Sequence, residues 1–298
     1  MTIPEALEAA AAALAAAGVP DAGLDAELML RHVLGLDRAG LLAAGPAPVP
    51  ADAGARFSRL VDGRASRRPL QHLTGTQHFW GREFRVGPDV LIPRPETEQV
   101  VEAALLALAG TGRPVVADVG TGSGCIALSL AAERKDAAVH AIDTSAAALA
   151  VAADNARLLQ LSERVAFHLG DLLEPLGDLP GEIDLVASNP PYVDVSEWCG
   201  LAPEVREHEP LRALVPREGD RYAVYRRLVP QAARSLRLPG GALVLEIGQG
   251  MEREVARIAG AAGLRVERVL PDLQGIPRVV VCRRGPEDAA ERAGRDSP

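Results

Sequence analysis

The sequence predicts an α/β protein: a doubly wound, mostly parallel sheet of seven strands, preceded by a helical bundle and a β-hairpin. Three observations carry that expectation. Short β-branched runs alternate with longer helical ones from residue 115 onward, apolar residues recur at helical spacing before residue 68, and an aromatic stretch around a glycine lies between them.

The first helix opens at Pro4-Glu5-Ala6-Leu7-Glu8, with Thr2 or Ile3 at its cap and proline in its first turn. Gly18-Val19-Pro20 stops it. A second runs from about Gly23 through Ala26, Leu28, Leu30, His32 and Val33. Pro46, Pro48 and Pro50 break the pattern, and a further helix covers roughly Asp52 to Arg67. Phe79-Trp80-Gly81-Arg82-Glu83-Phe84-Arg85-Val86 then reads as a hairpin. The two prolines of Leu91-Ile92-Pro93-Arg94-Pro95-Glu96-Thr97-Glu98 stiffen a link into a helix ending near Leu108.

Beyond it, strands are expected at Val115–Val119, Val139–Asp143, Val165–Leu169, Ile183–Ser188 and Leu243–Ile247, with two short ones at 265–270 and 278–283. Helices fall at about 125–134, 146–159, 222–236 and 252–262. Right-handed crossovers put a ligand site at the carboxyl ends of such strands. The expected domains are a helical domain at 1–73, a hairpin linker at 74–95, an α/β domain at 96–285 and a disordered tail at 286–298.

The 298 residues are 48% hydrophobic, ample for a packed core. The net charge of -8 excludes polyanion binding driven by overall charge. Arginine supplies nearly all the positive charge, since Lys135 is the one lysine. Cys125, Cys199 and Cys282 form neither a disulfide framework nor a metal signature, which points to a reducing cytoplasm and no metal. The amino terminus has no basic n-region, so no signal peptide is expected. No run approaches the roughly 18 apolar residues of a membrane span.

The first chemistry-bearing loop is Asp118-Val119-Gly120-Thr121-Gly122-Ser123-Gly124. Glycines after a strand let a ligand approach the backbone. A P-loop would need Gly-Lys-Ser/Thr where Cys125-Ile126 stands, and a dinucleotide fingerprint would need Gly or Ala at Cys125. GxGxG with an acid two residues upstream resembles the S-adenosyl-L-methionine loop of class I, Rossmann-like methyltransferases. Two further anchors follow in order. Asp143, ending the second strand, is suited to the two ribose hydroxyls. Asp171 and Leu172, after the third, are suited to the adenine amino group and ring. Each acid alone is equally well a turn cap; the ordered set is not so easily explained.

The second loop is Ser188-Asn189-Pro190-Pro191-Tyr192. Consecutive prolines fix φ and hold the preceding residues extended. The Asn189 side-chain oxygen and the Pro190 carbonyl are then expected to accept from one planar NH2 group, with Pro191 stiffening the loop and Tyr192 packing on the amide or base. An amide nitrogen is a poor nucleophile. Acceptors on both its N–H groups raise its electron density and stabilise the positive charge that grows there. Asn189 also faces the cofactor side in this reading.

At these residues the sequence resembles the protein-(glutamine-N5) methyltransferases that modify peptide-chain release factors, the HemK/PrmC family. The resemblance includes Arg68–Gly75, Phe79-Trp80, Leu91–Glu98, Asp118–Gly124, Asn189–Tyr192, Glu209-Pro210 and Leu245–Gly248. It implies S-adenosyl-L-methionine as methyl donor and class 1 peptide chain release factors as the protein substrate, recognised with help from the helical domain. The tetrapeptide at 189–192 is shared with adenine-N6 methyltransferases of DNA and RNA, a rival reading opposed by the acidic net charge. Methylation of a ribosomal protein glutamine is a second rival, and a non-catalytic interaction module a third. A monomer with no nucleic-acid or membrane partner is expected. His72 and His78 are not needed as bases, Cys125 reads as structural, Glu246 as structural first and otherwise as orienting Asn189 or the cofactor, Phe79 and Trp80 as core, and Arg94 as a contact to Glu96 or to a partner.

Overall fold

A computed structural model describes residues 1–177 and 181–285; the tail expected at 286–298 lies outside the described residues. The chain forms two compact units, one of Met1–Thr76 with Leu201–His208, the other of Gln77–Gly200 with the chain from Glu209.

In the first unit, α1 (Ile3–Ala16), α2 (Ala22–Leu34) and α4 (Ala51–Ala65) follow the sequence periodicity. Thr2 caps α1 reciprocally: its hydroxyl accepts from Glu5 N–H at 3.4 Å, and Glu5 accepts from Thr2 N–H at 2.8 Å. Leu14, Met29, Leu30 and Phe57 fill the core. Two further helices are not visible as periodicity. The first, α3 (Arg38–Ala44), is started by Asp37, whose carboxylate accepts from Gly40 N–H at 2.7 Å; the second is α5 (Leu70–Thr74). Both are too short to repeat an apolar stripe.

The short helix α9 (Pro203–His208) also belongs to this unit. Its Glu204 receives Arg64 Nη1 at 2.9 Å and Arg67 Nε and Nη2 at 2.7 and 2.8 Å, while Arg64 Nε reaches Asp25 at 2.6 Å. Burial pushes the Glu204 carboxyl up, but the hydrogen bonds from Arg67 and Arg64 outweigh it and hold the group at about 2. A carboxyl depressed on folding contributes stability above its unfolded value, and that contribution is lost as pH falls. Helical unfolding followed by circular dichroism should show this loss between about pH 4.5 and 2. Glu204→Gln should lower the melting temperature at pH 7 and flatten the slope across that window; an unchanged slope would discard the assignment.

The second unit begins with a hairpin, β1 (Thr76–Phe79) and β2 (Arg82–Arg85). Its two turn residues, Trp80 and Gly81, have φ of 50° and 68°, the geometry of a tight primed turn. Trp80 tolerates it because Glu98 accepts its backbone N–H at 2.6 Å and Glu133 its indole N–H at 3.1 Å.

The alternating region forms α6 (Glu98–Ala107), β3 (Val115–Val119), α7 (Cys125–Glu133), β4 (Ala138–Asp143), α8 (Ala146–Leu158), β5 (Val165–Leu169) and β6 (Leu185–Ser188). It continues with α10 (Ala223–Ser235), β7 (Ala242–Glu246), α11 (Glu252–Ala261), β8 (Leu264–Pro271) and β9 (Pro277–Arg284). The seven strands lie in the order β5-β4-β3-β6-β7-β9-β8. All pairs are parallel except β7–β9 and β8–β9. This is the expected seven-stranded, mostly parallel class I fold. One face packs on α6 and α7 through Val100, Ala104 and Leu128, the other on α10 and α11 through Tyr225, Leu228 and Val255. The winding reverses between β3 and β6, which opens a crevice at their carboxyl ends.

Asn155 of α8, fully buried, ties three pieces together. Its carbonyl accepts from Arg85 N–H at 2.7 Å, and its amide donates to Arg85 O at 3.0 Å and to Ser123 O at 2.8 Å. Asn155→Leu fills the volume but strands a part-buried donor and two acceptors, one of them buried, which should cost roughly 1–3 kcal/mol. Urea unfolding measures it, and a loss under about 0.5 kcal/mol would show that the network is dispensable.

Candidate active site

The loop after β3 is bent by Gly120, Gly122 and Gly124, whose φ values are 74°, 55° and 82°. At Gly124 a Cβ would also meet Leu128 at 3.0 Å and Ala152 at 3.2 Å, so this position seats the loop on α7 and α8. The N–H groups of Gly120 and Thr121 both donate to Ile142 O at 2.9 Å. Beneath the loop Asp118 is completely buried. One of its oxygens accepts from the Thr121 hydroxyl at 2.6 Å and from Ala127 N–H at 3.1 Å. Burial raises its carboxyl to about 7 despite those two hydrogen bonds.

At the end of β4, Asp143 accepts from Gly122 N–H through one oxygen and Ser145 N–H through the other, both at 2.9 Å. After β5, Asp171 pairs with Arg227 of α10, and Leu172 turns back with φ of 52°. These groups surround a cavity of about 440 Å³. Gly120, Thr121, Gly122, Ser123, Asp143, Asp171, Leu172, Asn189, Pro190 and Pro191 all line it. Asp118, Gly124 and Tyr192 are not among its lining residues. The first two act on the shape of the loop, and Tyr192 packs partly within the core on the α10 side.

At the end of β6, the Ser188 hydroxyl donates to Val119 O at 2.7 Å and ties together the strand ends from which the two loops leave. The Asn189 amide nitrogen donates to the Thr97 hydroxyl at 3.1 Å, and that hydroxyl donates to Glu246 Oε2 at 2.6 Å. Tyr192 donates its phenol to Glu246 Oε1 at 3.2 Å. Burial raises the Glu246 carboxyl to about 7, against the hydrogen bonds from Thr97 and Tyr192. Gly248 lets Tyr192 pack close to the backbone: a Cβ there would stand 3.0 Å from the Tyr192 ring and 2.9 Å from the Met251 sulfur.

Thr97 is the residue missed by sequence reasoning: it lines the cavity and touches Asn189 across 92 positions of chain. Arg94 turns to Glu209 rather than to Glu96. It pairs at 2.5 Å with buried Glu209, which also accepts from Ile92 N–H at 3.0 Å. The Cys125 thiol is pushed up to about 12 by burial and by Asp118, so it is a packed, unreactive group. Phe79 is core, and Trp80 packs against it.

Two family models match the chain: the PrmC N-terminal domain over residues 5–75 and the methyltransferase small domain over residues 102–200. A release factor glutamine methyltransferase of Cereibacter sphaeroides is 46% identical over 95% of this chain and 99% of its own. One of Moorella thermoacetica is 45% identical over 96% of this chain and 100% of its own. The chain belongs to the release factor glutamine methyltransferase family. A solved protein-(glutamine-N5) methyltransferase (release factor-specific) from Alicyclobacillus acidocaldarius is also similar, at 34% identity over 68% of this chain and 100% of its own, with a TM-score of 0.40.

For a member of this methyltransferase family, the residues present fit a nucleoside-bearing methyl donor. The glycine loop offers bare backbone, and above Gly120 and Gly122 a Cβ would meet nothing within 4 Å. The two carboxylates Asp143 and Asp171 suit hydroxyl and amino donors rather than phosphate. The cavity volume is within the usual roughly 300–1,000 Å³ of small-ligand sites. Among the described residues, no helix is long and apolar enough to cross a membrane.

Proposed function

We propose that this chain transfers a methyl group from S-adenosyl-L-methionine to the side-chain amide nitrogen, N5, of the glutamine in the Gly-Gly-Gln motif of class 1 peptide chain release factors, and so modulates translation termination. The observation that carries this reading is 46% identity over almost the whole of both chains to a release factor glutamine methyltransferase. The donor supplies an electrophilic methyl group on a sulfonium. Everything else falls to the protein.

In this reading Asp143 takes the ribose hydroxyls, Asp171 the adenine amino group and Leu172 the ring face, while Gly120 to Gly124 give the donor room. Asp118 holds the loop from beneath. The Asn189 oxygen and the Pro190 carbonyl accept the two N–H groups of the target amide. That keeps its nitrogen electron-rich and stabilises the charge that develops as the methyl group arrives. Pro190 and Pro191 keep these acceptors from relaxing, and Tyr192, outside the cavity lining, supports them from behind through its phenol on Glu246. Holding nitrogen, methyl carbon and sulfur in line supplies much of the remaining barrier reduction. The reading needs no metal and no covalent intermediate. It takes the enzyme to be a cytoplasmic monomer whose helical domain helps to bind the release factor, without a nucleic-acid partner.

Mass spectrometry of purified release factor, incubated with enzyme and isotopically labelled donor, tests this reading. One methyl group on the Gly-Gly-Gln glutamine is the expected result. Label confined to adenine in DNA or RNA, or to a ribosomal protein, would overturn it.

A further inference from the structure

We infer that Thr97 and Glu246 are positioning residues that fix which way the Asn189 amide faces. The inference rests on Asn189 being the substrate acceptor. An amide side chain presents an oxygen or an NH2 group in nearly the same shape, so a half-turn of its last bond exchanges acceptor for donor. Facing the substrate with NH2 would set donor against donor. Something in the protein must therefore choose.

The choice follows from counting protons. Thr97 has one hydroxyl proton, and it goes to Glu246 Oε2 at 2.6 Å. An ionised carboxylate only accepts. The hydroxyl oxygen is then left able only to accept, and the Asn189 group that meets it at 3.1 Å must be the NH2. The Asn189 oxygen is thereby turned away from Thr97. Tyr192 donates to the other oxygen, Oε1, at 3.2 Å, so neither Glu246 oxygen lacks a donor and the Thr97 proton has no reason to leave. Tyr225 holds the same residue by its backbone, donating to Glu246 O at 2.8 Å. Thr97 and Glu246 are both buried, so water does not compete for these bonds.

The test compares Thr97→Val, which keeps shape and loses the hydroxyl, with Thr97→Ser, which loses a methyl and keeps it. Assays run at pH 8.5, above the value of about 7 to which burial raises Glu246. Thr97→Val should lower kcat about 10²-fold, with the KM for release factor and the Kd for S-adenosyl-L-homocysteine within about threefold of wild type. Thr97→Ser should restore kcat to within a few-fold. In the Asn189→Ala background Thr97→Val should have no further effect on kcat, because the residue through which it acts is gone. If the valine variant does not fold, Thr97→Ala takes its place in the same cycle.

A packing role would give the reverse order, with valine active and serine impaired, and would overturn the inference. So would an undiminished effect of Thr97→Val in the Asn189→Ala background. Near-normal turnover of Asn189→Ala alone would instead remove the reading of Asn189. A dead Asn189→Ala beside a fully active Thr97→Val would remove only the inference about Thr97 and Glu246.

Discussion

Asn189→Ala is expected to lower kcat by roughly 10²–10³-fold while the affinity for S-adenosyl-L-homocysteine stays near that of wild type. On the proposed reading the substitution removes one of two acceptors for the target amide, and it leaves the glycine loop, Asp143 and Asp171 in place. Its effect should fall on kcat and kcat/KM together, the signature of an interaction made chiefly in the transition state. Loss of the amide also frees the Thr97 hydroxyl oxygen of its donor, but Thr97 keeps its bond to Glu246, so the fold is not at risk. Single-turnover methyl transfer with saturating donor separates the chemical step from release. Turnover within a few-fold of wild type would remove Asn189 from the chemistry.

Asp143→Ala should have the opposite profile. Affinity for S-adenosyl-L-homocysteine, measured by calorimetry, is expected to fall roughly 10²-fold, about the value of two hydrogen bonds to a charged acceptor after partial compensation by water. The carboxylate also holds Gly122 N–H and Ser145 N–H, so the variant loosens the glycine loop as well as losing the proposed ribose contact. Turnover at saturating donor should survive far better than in Asn189→Ala. Unchanged affinity would mean that Asp143 only organises the loop. The two variants together separate donor binding from acceptor activation.

The sheet was legible in the sequence because buried parallel strands are near-continuous apolar runs, as at Val115–Val119 and Leu243–Ile247, bounded by polar turns. The one shortened strand is informative. Ile183 makes only an isolated bridge to Leu236, and the ladder begins at Leu185; at that end the Asp184 carboxylate accepts from Val115 N–H and Arg237. The loops of the candidate site were legible because their residues are contiguous. Thr97 and Glu209 were not, because their partners lie 92 and 115 positions away in the chain. A lone threonine or glutamate carries no signal of such a partner. The same holds for Leu201–His208, whose place in the first unit depends on Glu204 meeting Arg64 and Arg67.

The hydrogen bond from Thr97 to Glu246 closes a loop of 149 residues. Its consequence lies in the order of synthesis. The strands that lead to the glycine loop, Asp143 and Asp171 have all been made by residue 171, whereas the Glu246 carboxylate, proposed above to orient Asn189, is added 75 residues later, on β7. Contacts of such sequence separation are also slow to form. On the proposed reading a nascent chain thus acquires the residues that hold the donor first and the carboxylate that orients Asn189 last, so every step of chain elongation before β7 leaves the Asn189 amide without that carboxylate.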